Sequence, residues 1–64
     1  MSHLDIFFDC NNAAFAEEQV NGECSRILQE LALKIAGGAE DGPIADYNGN
    51  TVGNWNLVIT KEGE

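Results

Sequence analysis

Ile44-Ala45-Asp46-Tyr47-Asn48-Gly49-Asn50-Thr51-Val52-Gly53-Asn54-Trp55-Asn56-Leu57-Val58-Ile59-Thr60 is the stretch that decides the fold. Residues 44–47 and 51–60 predict two strands joined by a tight turn. Asp46 first, Asn48 third and Gly49 fourth suit a type I turn with a following bulge, while Asn48-Gly49 as a two-residue type I′ loop is the alternative. Trp55, Leu57 and Ile59 share one face of the last strand, but Val52 is out of phase with them. A bulge at Gly53 restores the register.

Outward from this hairpin, residues 3–10 alternate, with Leu4, Ile6, Phe8 and Cys10 on the core face and His3, Asp5, Phe7 and Asp9 on the other. Asn11-Asn12 ends that strand. Residues 13–18 predict a turn of helix with Phe15 pointing to the core, interrupted by Asn21-Gly22. From Glu23 the period is helical: Val20, Cys24, Ile27, Leu28, Leu31 and Ile35 fall on one stripe, with Asn21 as N-cap and Gly37-Gly38 as the stop. Leu33 falls on the opposite side. Glu23 and Glu30 stand at helical spacing from Arg26, and Glu30 also from Lys34, so local pairing accounts for both bases.

These pieces predict an α+β chain of order β-α-β-β, one amphipathic helix packed on a three-stranded antiparallel sheet with the last strand central. Pro43 suits an edge position for the second strand. Residues 1–64 read as a single small domain, with 61–64 as a frayed acidic tail. One helix covers one face only, so the other presents Asp5, Phe7 and Asp9 beside Asn54, Asn56 and Val58, an aromatic ring with a polar rim.

The 64 residues carry eleven Asp and Glu against three Lys and Arg, a formal net charge of −8. Such a chain repels nucleic acid and membrane surfaces and suits a basic protein groove. We therefore expect no direct nucleic-acid binding and no membrane association. The candidate contact residues are Asp5, Phe7 and Asp9, with the acids Glu17, Glu18, Glu40, Asp41 and Asp46. A chain this short leaves little room for an active-site cleft, and its paired acids stand in polar stretches, so no enzymatic activity is expected. No cofactor or metal is expected either: His3, Cys10 and Cys24 lack ligand spacing. Asp46, Asn48 and Asn50 imitate the start of a calcium loop, but Thr51 and Leu57 stand where its glycine and bidentate glutamate belong. Two cysteines with no basic, apolar leader suggest an intracellular protein with reduced thiols.

Three motifs in order, Asn12-Ala13-Ala14-Phe15, then Arg26-Ile27-Leu28-Gln29-Glu30-Leu31-Ala32, then Asp46-Tyr47-Asn48-Gly49-Asn50-Thr51-Val52-Gly53, resemble small acidic proteins encoded by phages and prophages. The chain is similar to the anti-CRISPR proteins among them that act on type I systems. That resemblance implies an inhibitor working in the cytoplasm of the host bacterium. It would bind a basic, DNA-accepting surface of a type I CRISPR effector complex, as a DNA mimic or by blocking nuclease recruitment. Asp5 and Asp9, four strand residues and so roughly 13 Å apart, are suited to such a groove. The alternative is a small accessory or structural phage protein without inhibitory activity, self-associating through Leu33 or the open sheet face. Monomer and weak homodimer both remain open here.

Overall fold

A computed structural model describes residues 1–60 of the chain. The expected frayed tail at 61–64 lies outside the described residues. The order is β1 (His3–Phe8), a 3₁₀ turn (Ala13–Phe15), α1 (Val20–Ala36), β2 (Asp41–Ala45) and β3 (Thr51–Val58). The three strands form one antiparallel sheet, β1-β3-β2, so the α+β architecture and the central last strand are as the sequence predicts.

The hairpin between β2 and β3 closes through a type I turn. Gly49 N–H donates to Asp46 C=O at 3.0 Å and Asp46 N–H to Asn50 C=O at 2.9 Å. Gly49 has φ +86°, but no non-glycine among the described residues has positive φ, which rules out the type I′ loop that Asn48 would have to share. β2 begins at Asp41 rather than Ile44 because Leu57 N–H already donates to Glu40 C=O at 2.7 Å, zipping the linker onto β3.

Ile44 pairs with Gly53 and Ala45 with Thr51, which makes Val52 the additional residue of a bulge. A Cβ on Gly53 would stand 1.9 Å from the Phe7 carbonyl oxygen and 2.5 Å from Phe8 Cα. Only glycine lets β1 pass at this point. A bulge is thus present, but its additional residue is Val52 rather than Gly53, and Gly53 is needed for clearance.

The helix starts at Val20, earlier than the Asn21-Gly22 break suggests. Gln19 is the N-cap residue and makes no side-chain cap bond, while Glu23 N–H reaches Gln19 C=O at 2.9 Å. Asn21 is therefore inside the first turn and does not cap. Helix-breaking residues cost least there, because the first N–H groups lack intrahelical partners in any case. The helix ends at Gly37, as expected, with three carbonyls converging on its N–H.

Ala14, Phe15, Ile27, Leu31, Ile44 and Trp55 form the buried core, and Phe8, Cys10, Val20, Cys24, Ile35, Val52 and Leu57 are among those packed around it. The Phe8 and Phe15 rings lie 6.0 Å apart, a favourable aromatic separation. Trp55 lies across β2 at Gly42, where a Cβ would come within 3.3 Å of its indole nitrogen. Four expectations are corrected. Leu4, Ile6 and Leu28 were placed facing the core but stand 44, 38 and 49 % exposed, and Ile59 is exposed as well. The core gathers at the bulge end of the sheet, leaving the beginning of β1 beyond the cover of α1.

Candidate interaction surface

The face of the sheet turned away from α1 is built by register. Asp5 lies beside Asn56 and Asn56 beside Asp41, while Phe7 lies beside Asn54 and Asn54 beside Pro43. All six are exposed, and Phe7 is 65 % accessible. Two shallow depressions of about 370 and 410 Å³ meet along Asn54 and Asn56, one bounded by Asp5 and Phe7 and the other by Asp41 and Pro43. Two interstrand spacings put Asp5 and Asp41 about 10 Å apart across the amide ladder. His3 Nε2 lies 3.0 Å from Asp5 Oδ2.

Asp9 continues this face. It follows β1, but its N–H still donates to Val52 C=O at 3.0 Å, so the alternation of Asp5 and Phe7 carries on to it. The other acids do not join them. Glu40 is exposed at the start of β2 but has the opposite parity to Asp41. Glu17 and Glu18 are exposed in the segment between the 3₁₀ turn and α1, outside the sheet. Sequence order alone grouped these acids; the register separates them.

Asp46 is the correction among the candidate contacts. It is buried, and both carboxylate oxygens are occupied. Oδ1 accepts the N–H groups of Asn48 and Asn50, each at 2.9 Å, and Oδ2 accepts the Asn12 amide at 2.7 Å and the Asn50 amide at 3.2 Å. Burial would raise its pKa, but these donors outweigh it and hold the carboxyl below its ordinary value. Asp46 ties the turn to the segment after β1 and offers nothing to a partner.

The Glu23–Arg26 pair expected from their spacing is present; what sequence reasoning missed is that Glu23 is buried and bonded to the hairpin. Its carboxylate holds Arg26 through two bonds of 2.7 Å and accepts Tyr47 N–H at 2.8 Å, while Arg26 reaches Ala45 C=O at 3.2 Å. Glu30 also pairs with Arg26 rather than with Lys34 among the described residues. The bond from Arg26 keeps Glu23 below the usual carboxylate range against the opposing effect of burial, and in turn the Arg26 guanidinium is held charged. A signal was present: Glu23, Ile27 and Leu31 recur every four residues and are the buried residues of the helix.

Cys10 and Cys24 are free thiols with Sγ atoms 3.8 Å apart, and burial, helped by the contact with Cys24, raises the Cys10 pKa. Among the described residues no group of three His, Cys, Asp or Glu side chains is arranged to hold a metal ion, and no helix is long and apolar enough to cross a membrane. No family model matches the chain, and neither a curated protein nor a solved structure is significantly similar to it.

Proposed function

We propose that the chain is an inhibitor of the anti-CRISPR type, encoded by a phage, that binds a basic, DNA-accepting surface of a type I CRISPR effector complex. The observation that carries the binding mode is the uncovered sheet face, on which Asp5, Asp9 and Asp41 surround Phe7 and the Asn54 and Asn56 amides. Carboxylates on rigid strands offer Lys and Arg what phosphates offer them, and Phe7 supplies an apolar anchor at the centre. The choice of target rests on the motif resemblance together with the net charge of −8. Effectors of this kind grip duplex DNA through basic side chains, contacts that an acidic surface can take over.

The test is a competition titration. The purified chain is added to a type I RNA-guided complex holding labelled target duplex, at low and at high salt. Displacement that weakens as salt rises is expected, and Asp5→Lys or Asp41→Lys should reduce it by at least about tenfold with the fold intact. Duplex binding undisturbed at both salts would reject competition for the DNA site, and full activity of both charge reversals would reject this face as the contact.

A further inference from the structure

The two edges of the sheet are not equivalent. Asp9 N–H donates toward β3, so in the alternating antiparallel ladder the N–H and C=O groups of Phe7 and Asp5 do the same, and those of Leu4, Ile6 and Phe8 point outward. On the far side, Leu57 donates to Glu40, so Gly42 and Ile44 face β3 while Asp41, Pro43 and Ala45 face out. Pro43 therefore lies in the middle of the outer edge of β2, where it has no N–H to offer. That edge is blocked in the way natural sheets block edges. β1 has no proline, lysine or bulge, and its apolar side chains Leu4, Ile6 and Phe7 stand substantially exposed.

We propose that β1 pairs antiparallel with β1 of a second copy of this chain, with Ile6 opposite Ile6 on the two-fold axis. Leu4 then pairs with Phe8, Ile6 with Ile6 and Phe8 with Leu4, each pair exchanging two N–H···O=C bonds. The intervening residues select this register. Asp5 lies opposite Phe7 of the second copy and His3 opposite Asp9, so no acid faces an acid. Sliding one way puts Asp5 against Asp5; sliding the other puts Asp5 against Asp9 twice. Like charges directly opposite one another are destabilising, and opposite or apolar partners are not. The pairing unites two three-stranded sheets into one of six strands and covers Leu4 and Ile6, which α1 leaves open. It forms along the β1 edge, where only the β1 residues of the open face meet their counterparts, it makes no use of Leu33, and it does not depend on the inhibitor reading.

Sedimentation equilibrium tests it, with the buried Trp55 near-ultraviolet signal as the check of folding. The wild type should show a dimer that strengthens with salt, because each copy carries a net charge of −8 and screening relieves their repulsion. That is the opposite sense to the competition titration. Ile6→Pro removes one outward N–H, as Pro43 does on β2, and should abolish the dimer. Cysteine pairing fixes the register: Asp5→Cys and Phe7→Cys chains should cross-link when mixed and neither should do so alone. A wild type monomeric at every concentration and salt would overturn the proposal, as would a folded Ile6→Pro dimer. So would cross-linking of Asp5→Cys or Phe7→Cys with itself. Should Ile6→Pro not fold, the cross-linking pattern decides.

Discussion

At Gly53 a single hydrogen atom sets whether the sheet can assemble. Val52 bulges out, the strand turns, and the backbone of β1 passes so close that a methyl group has no place to go: the obstructing atoms are Phe7 O and Phe8 Cα, which no rotamer change can move. Gly53→Ala should cost about 3 kcal/mol or more, the upper range for overpacking. A chain of this length is stable by only roughly 3–10 kcal/mol, so a loss of that size removes a large share of its stability, and the urea midpoint measures it. Gly22→Ala is the control. It sits in the first turn of α1 with nothing within 4 Å of the added carbon, and should gain about 0.5–1 kcal/mol. Equal effects of the two substitutions would show that the close approach at Gly53 is not what constrains it.

At the scale of elements, two carboxylates join pieces that backbone pairing leaves separate. Glu23 links α1 to the hairpin through Arg26 and Tyr47, and Asp46 links the turn to Asn12 after β1. Both carboxyls are held below their ordinary values of 4.5 and 3.8 when folded, so the unfolded chain binds more protons than the native one as pH falls. Their contribution is complete above about pH 5 and is lost as pH drops through the folded values. In urea titrations, the stability gap between the wild type and Glu23→Gln/Asp46→Asn should therefore narrow on acidification; a gap that does not change with pH would sink this account. These same residues mark the limit of what the sequence discloses. Period-2 and period-3.6 patterns place every strand and the helix, and Gly49 and Pro43 identify the turn and the edge. Asp46 reads as an exposed turn acid and Glu23 only as the local partner of Arg26, because the donors that bury them against other elements, Asn12 and the Tyr47 N–H, come from 34 and 24 positions away. The open face was legible as far as Asp5, Phe7, Asn54 and Asn56. Asp41 joins it only once β2 is seen to begin at that residue.

At the scale of the whole molecule, one side of a thin sheet carries carboxylates that no Lys or Arg among the described residues pairs with. Arg26 is consumed by Glu23 and Glu30, leaving Asp5, Asp9 and Asp41 to repel one another and the other surface acids. Such repulsion opposes the compact state and extends about 30 Å at 10 mM salt but about 8 Å at 150 mM. Folding stability should accordingly rise with salt over that interval, and Asp5→Asn/Asp41→Asn should be more stable than the wild type at low salt, with a flatter salt response. Thermal unfolding of both chains across a salt series measures this directly. A wild-type stability that falls with salt would mean that attractive pairs dominate, and the open face would then have no unspent charge to offer a basic partner. If stability rises while competition for the DNA site weakens in the same buffers, one set of carboxylates accounts for both: repelled by each other in the free protein, they are relieved by the cations of a target.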